Sequence, residues 1–328
     1  KVFKALQQIS QKSTGGIEMI EKETLNWLSD KLKIQNTALI EKDLLLQGLL
    51  NELSKSEYFT ENFVFKGGTC LTKAYFGYYR FSEDLDFTWL DKKAFEGKTE
   101  NQIRKMLSKE INKIMELLAA AAKELSLDFK AEKSNKHYVQ LGGSNRFTTF
   151  KFWYKPADSE KETFIKIQLN FVEKIVHQPH KHSLAAIAKE HAEDFDYLYP
   201  QYVPMATKNP EFYCYDLKEI ASEKIRALLT RRGFKARDII DLYMLAKKDI
   251  TIKSVKPMAF EKTKFMLRYL KYAEHLKQKH FDENFKLGEE QNLLVKQPGK
   301  DFEKFTVETI KELNELAEEF RNKLKGKT

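Results

Sequence analysis

The chain has 328 residues, 42% hydrophobic and 32% charged, and its 57 Lys and Arg against 48 Asp and Glu give a formal charge of +9. That length supplies core for one large domain or two medium ones, and the basic excess favours a polyanionic partner, nucleic acid or a triphosphate. No run approaches the ~20 apolar residues of a membrane span, no secretory pattern opens the sequence, and two cysteines far apart, Cys70 and Cys214, argue for a reducing cytoplasm rather than a disulfide framework.

The first sixteen residues show modest helical patterning, in keeping with an arm. Apolar residues at 17, 20, 25, 28 and 32 predict a helix over 17–32. A stronger one runs over 37–53, where Leu39, Ile40, Leu44, Leu45, Leu46, Leu49, Leu50 and Leu53 form a broad stripe and Asn36 or Thr37 can cap the start. Phe63-Val64-Phe65 reads as a buried strand stopped by two glycines, 69–76 as a short helix, and 85–90 as a second strand. A long amphipathic helix over 101–125 precedes three β-like runs, 127–130, 137–141 and 147–154, the last two joined by a hairpin turn at Gly142-Gly143-Ser144-Asn145. Alternation over 164–171 predicts a half-buried strand. From about residue 204 the character changes to helices at 216–230, 237–246, 260–275 and 302–324, with hardly any strand signal beyond 205. The chain therefore reads as α+β: a mixed α/β part over 1–205 and a helical part over 206–328.

The informative window is 63–89: strand, Gly67-Gly68-Thr69, helix, then Arg80-Phe81-Ser82-Glu83-Asp84-Leu85-Asp86-Phe87. Glycines between a strand and a helix let the backbone approach a phosphate, and the first N–H groups of the helix then point at the anion. Thr69 and Ser82 can add hydroxyls, with Lys73 and Arg80 nearby. Asp84 and Asp86 are two apart, so on a strand they share a face while Leu85 and Phe87 take the other. Two adjacent carboxylates repel unless a cation lies between them. Mg²⁺ suits that task, with Mn²⁺ as an alternative, because it takes a few carboxylates and completes its shell with water and triphosphate oxygens.

Farther on, Lys224 is suited to a triphosphate as a point charge on a flexible stem. It shares a helical face with Ile220 and Asp216, whereas Arg226 lies on another face. Arg231, Arg232, Lys235 and Arg237 cluster around Gly233, either as phosphate ligands or as a solvated helix-end patch. Asp238 and Asp241 share one face of their helix. Each can position the nucleotide or anchor an arginine, Arg226 or Arg231 being the partners for Asp238.

Three blocks together resemble the AbiEii/AbiGii group of nucleotidyltransferase toxins, related in fold to DNA polymerase β and to the MenT toxins: Ile40-Glu41-Lys42-Asp43, the segment from Phe65 through Gly67, Gly68 and Thr69 to Lys73, and the segment from Arg80 to Phe87. A later block, Glu219 to Leu229 followed by Arg237-Asp238-Ile239-Ile240-Asp241-Leu242, is similar to that family's basic helix and the helix after it, so the likeness covers roughly residues 38–245. It implies a nucleotidyltransferase-fold core, a mixed β-sheet flanked by helices, followed by a helical C-terminal region. It implies Mg-dependent transfer of NMP from an NTP, with Asp84 and Asp86 as metal ligands and catalytic residues, joined by Lys224 and Asp238. Gly67, Gly68, Thr69, Lys73, Arg80, Ser82, Arg237 and Asp241 would bind the nucleotide. It further implies a toxin of a toxin–antitoxin or phage-defence (abortive infection) pair, with a cognate antitoxin and a nucleic-acid acceptor such as a tRNA 3′ end, while the lack of a long apolar run leaves no membrane among the expected partners.

One departure concerns the third carboxylate that enzymes of this superfamily commonly use. The best strand for it, 165–171, offers Lys166, Gln168 and Asn170 at its outward positions, and Glu173 comes only after the alternation ends. An amide oxygen can coordinate a metal but is a poor proton acceptor. A non-catalytic nucleotide- or RNA-binding module, or an enzyme that nucleotidylates protein, are therefore the rival readings. His177, His180 and His182 lack acidic or cysteine partners at ligand spacing and read as surface residues. Ser82 has no nearby histidine for hydrolase chemistry, and the aromatic run 147–154 reads most simply as core and hairpin packing, with base stacking by one exposed member as the alternative.

Overall fold

The structure, a computed structural model, describes residues 19–91, 93–282 and 286–325. The arm expected over the first sixteen residues, and residues 17 and 18 of the first expected helix, lie outside the described residues. In chain order the elements are α1 (Lys22–Leu32), α2 (Thr37–Ser54), α3 (Glu57–Asn62), β1 (Phe63–Lys66), α4 (Gly67–Cys70) running into a π-helical turn (Leu71–Phe76), β2 (Asp84–Trp89) and α5 (Glu100–Glu124). Then come β3 (Val139–Gly142), β4 (Phe147–Tyr154), β5 (Thr163–Asn170), β6 (His180–Ser183), α6 (Ala192–Leu198), α7 (Val203–Ala206) and β7 (Glu211–Cys214). Among the described residues, five α-helices follow: α8 (Leu217–Thr230), α9 (Ala236–Ala246), α10 (Ile252–Met266), α11 (Leu270–Lys277) and α12 (Phe302–Lys325).

Among the described residues, seven strands form one mixed sheet in the order β3-β4-β5-β2-β1-β7-β6. The chain divides into two compact units, each drawn from three stretches of sequence: up to 64, 83–172 and 183–212 in the first, and 65–82, 173–182 and 213 onward in the second.

The first unit is built on β2, β5, β4 and β3. β2 runs parallel to β5, with Asp84 beside Lys166 and Asp86 beside Gln168, and β4 is antiparallel to both β5 and β3. Leu44, Leu45, Leu46, Leu49, Leu50 and Leu53 of α2 are buried, as the stripe predicts, and Asn36 accepts the Leu39 N–H at 3.3 Å as the cap. Each such side chain contributes roughly 1.5–3 kcal/mol on leaving water. Aromatic rings close the core: Phe59 stacks on Phe63 at 4.8 Å, and Phe87 meets Phe59 edge-on at 5.0 Å. The hairpin turn falls where expected, with Gly143, Ser144 and Asn145 all at positive φ. The run 127–130 forms only an isolated bridge between Asp128 and Trp153.

The second unit is helical around the segment that follows β1. Ile225, Leu228 and Leu229 of α8 and Ile239, Ile240 and Leu245 of α9 are buried. On α12, Ile310, Leu313, Ala317 and Phe320 are buried too, and Phe260 of α10 stacks on Phe320 at 3.9 Å. The helix expected over 260–275 is instead two helices, α10 starting eight residues earlier and α11 following Tyr269, whose extended backbone (φ −95°, ψ 116°) breaks the run. Pro257 lies inside α10, where it forgoes one backbone hydrogen bond. Strand structure also persists beyond 205: within this unit Phe65 of β1 pairs in parallel with Cys214 of β7.

Candidate active site

On β2 the period-two alternation sends Leu85 and Phe87 into the core and leaves Asp84 and Asp86 half-buried on the opposite face. The β5 positions beside them are the ones expected, Lys166 and Gln168. The Lys166 ammonium lies 3.2 Å from one Asp84 oxygen, and the Gln168 amide donates to the other at 3.4 Å. Glu83 pairs with Lys42 at 3.0 Å. No third carboxylate joins the pair: among the described residues, no group of three or more His, Cys, Asp and Glu could hold a metal ion.

Glu173, the acid just past β5, belongs to the second unit and is committed there. Fully buried, it meets Lys66 at 2.6 Å, Arg226 at 3.3 Å and Lys262 at 3.6 Å. Burial alone would raise its pKa, but the cations outweigh it and hold the carboxyl well below the usual range. Glu223 shares Lys66 and Arg226, and Glu219 takes Lys262 at 2.6 Å and accepts the Val176 and His177 N–H groups. Within this six-residue network, Glu223 and Arg226 lie three apart on one helix. Burial in the fold brings in the rest.

The glycines are the first two residues of α4 rather than a turn before it, and Gly67 has φ 80°. Gly68 serves a close approach, though not to a phosphate in this form: a Cβ there would lie 2.1 Å from Arg80 Nη2. Arg80 is 1% exposed. Its Nε and Nη2 each donate to Asp241 at 2.7 Å, and Nη1 donates to the Phe81 carbonyl at 2.7 Å. The Thr69 hydroxyl donates to Ser82 at 2.7 Å, and the buried Lys73 ammonium donates to the Tyr78 hydroxyl at 2.6 Å.

Lys224 joins the same cluster from α8. It lies 2.8 Å from Asp238 and 2.5 Å from Asp241, while Arg231 holds the other Asp238 oxygen at 3.0 Å and Tyr79, which sequence reasoning did not single out, donates to Asp241 at 2.8 Å. Burial works against every charge here, yet Arg80 and Lys224 depress the Asp241 pKa, Lys224 and Arg231 depress that of Asp238, and the two acids raise that of Lys224. Three cations face two carboxylates, leaving one positive charge over within the cluster. Arg237 is bound elsewhere, to Glu290, through its backbone N–H at 2.9 Å and its side chain at 3.7 Å.

Among the described residues, the His177, His180 and His182 side chains belong to no group of three or more that could hold a metal, although the His177 backbone N–H reaches Glu219. His180 is exposed on β6, while His182 is half-buried against the Tyr75 ring at 4.5 Å.

A family model described as nucleotidyl transferase AbiEii toxin, type IV toxin–antitoxin system, matches residues 48–325. Among solved structures, MenT4, a nucleotidyltransferase toxin from Mycobacterium tuberculosis H37Rv, is similar in fold (TM-score 0.54, 17% identity, covering 88% of this chain and 89% of that one). JHP933 from Helicobacter pylori aligns at TM-score 0.43 and 14% identity over 88% of this chain and 97% of its own. A search of curated proteins returned no match.

Proposed function

This chain belongs to the AbiEii family of nucleotidyltransferase toxins and is itself a nucleotidyltransferase, and we propose that it transfers a nucleoside monophosphate from an NTP to the 3′ end of an RNA, a tRNA in the first instance. In this reading Asp84 and Asp86 hold Mg²⁺. The observation that carries it is the Lys166 ammonium 3.2 Å from Asp84, a cation already drawn to the shared face of the two carboxylates. Oxygen donors of this kind fit a hard cation, which would supply charge neutralisation as pyrophosphate leaves.

The remaining assignments follow the chain's own residues. The acceptor hydroxyl attacks the α-phosphorus, the bond to the β-phosphate oxygen breaks, and pyrophosphate departs. Gln168 and Asn170 are poor proton acceptors, so the hydroxyl proton leaves to water or to Asp86. The surplus positive charge of the Arg80–Asp241–Lys224–Asp238–Arg231 cluster supports Lys224 as the cation for the triphosphate, exchanging a carboxylate partner for a phosphate oxygen. Thr69 and Ser82 supply hydroxyls, and Ser82 stands two residues before Asp84 in the chain. Lys73 adds positive charge beside them. Arg80 contributes by fixing Gly68 and Asp241 rather than by touching phosphate. A cognate antitoxin, a phage-defence setting and action in the cytoplasm complete the reading. The two cysteines, both free and buried, are compatible with that compartment.

Incubating the protein with labelled NTPs, Mg²⁺ and total RNA tests the proposal. Label in RNA, lost in Asp84→Ala and Asp86→Ala, is the expected result. Label on the polypeptide would make protein the acceptor, and nucleotide binding without transfer would make the chain a binding module.

A further inference from the structure

Two strands across from Asp84, the same half-buried face of the first unit's sheet turns aromatic and basic. The register runs from Asp84 to Lys166 to Lys151, and two residues farther along the strands Phe164 lies beside Trp153. The Trp153 and Phe164 rings meet at 4.7 Å, and His137, which is exposed, stacks on Trp153 at 4.3 Å with the planes only 5° apart. Trp153 donates its indole N–H to the His137 carbonyl at 3.1 Å, which fixes the pair. Lys151 lies 5.3 Å from the centre of the Phe164 ring and Lys166 lies 6.0 Å from it. Among the described residues, Lys151 has no carboxylate partner within salt-bridge distance.

This composition fits one ligand chemistry. Flat rings interleaved with ammonium groups bind single-stranded nucleic acid, the rings taking bases and the cations taking phosphates. A duplex would reach only the lysines, because its bases are stacked inside. A protein partner would be met by a wider apolar surface than three rings bordered by lysines. At about 3.3 Å per residue and 4.8 Å between strands, Trp153 stands roughly 12 Å from Asp84 along the sheet, within reach of the last few nucleotides of a strand.

We propose that this strip is the acceptor track: the single-stranded 3′ segment of an RNA crosses β4 and β5, a base stacks on the His137–Trp153 pair, a phosphate meets Lys151, and the 3′ end arrives beside Asp84. The identity of what happens at that end rests on the nucleotidyl-transfer reading, but the binding itself does not.

A fluorescein-labelled single-stranded RNA oligonucleotide with a free 3′ hydroxyl, titrated by anisotropy against the full chain carrying Asp84→Ala and Asp86→Ala, measures binding without turnover. In that background Trp153→Ala weakens binding roughly tenfold or more, while Trp153→Phe, which keeps a ring, retains most of it. Lys151→Gln weakens binding and lowers the slope of log affinity against log salt by about one. His137→Ala, at an exposed position, weakens binding too, and keeps the test decisive should Trp153→Ala fail to fold. Wild-type-like binding by both His137→Ala and Lys151→Gln overturns the proposal, as does equal affinity for the same sequence as a duplex. If the intact chain labels no RNA while binding still depends on His137 and Lys151, the transfer reading falls and the track stands.

Discussion

Asp241 grips Arg80 with both carboxylate oxygens, each at 2.7 Å, in side chains that are 0% and 1% exposed. The fork geometry leaves the guanidinium no room to shift, and Gly68 supplies the space it needs. Gly68→Ala therefore forces either the helix start or the ion pair to move. The expected cost is about 3 kcal/mol, combining overpacking with a disturbed buried pair. Chemical denaturation at neutral pH measures it, and a loss below about 1 kcal/mol would show that the clearance at Gly68 is not required.

Lys224 stands between two acids, and its removal leaves Asp238 with Arg231 and Asp241 with Arg80. The fold therefore survives Lys224→Ala better than the chemistry does. Transfer should fall about 100-fold or more, the scale for losing one charge aligned with a developing anion, with NTP affinity falling alongside it. Steady-state kinetics on samples whose melting temperature is measured in parallel separate the two effects. Transfer within a few-fold of wild type would remove Lys224 from the machinery.

Glu41 offers a pH test in the first unit. Burial pushes its pKa up to about 7, against the one backbone N–H it accepts, from Ala157 at 2.9 Å, while nearby Asp158 raises it further. A carboxyl whose folded pKa lies above its unfolded value favours the folded state fully below about pH 4.5, and that advantage drains away as pH rises toward 7. The wild-type chain should thus lose roughly 2 kcal/mol relative to Glu41→Gln between pH 4.5 and 8, since the amide keeps the Ala157 hydrogen bond without ionising. Parallel melting-temperature profiles of the two proteins would contradict this.

The fold was legible where period and burial agree. The α2 stripe, the Asp84–Asp86 alternation, the β3–β4 hairpin and the outward Lys166 and Gln168 all follow from spacing that local backbone geometry alone enforces. β6 and β7 are four residues each: His180 and Lys181 are both exposed on β6, and β7, though Phe212 and Cys214 are buried in alternation, is too short to show a period in sequence. The α10–α11 break was hidden because Tyr269 carries no turn chemistry in its identity. At the site, residue types were readable but their partners were not. Nothing in the sequence says that Arg80 turns inward to Asp241, that Tyr79 joins it, or that Glu173 spends its charge on Lys66, Arg226 and Lys262. Those are choices made by long-range packing.

In the proposed reaction the two β2 carboxylates act through a divalent cation, and a Mg²⁺ titration of nucleotidyl transfer tests this most directly. Wild-type protein should show transfer that rises with Mg²⁺ and stops with chelator, while Asp84→Asn and Asp86→Asn, confirmed folded, each lose at least 100-fold at saturating metal. Transfer that persists in both variants, or that is indifferent to divalent cation, would contradict it.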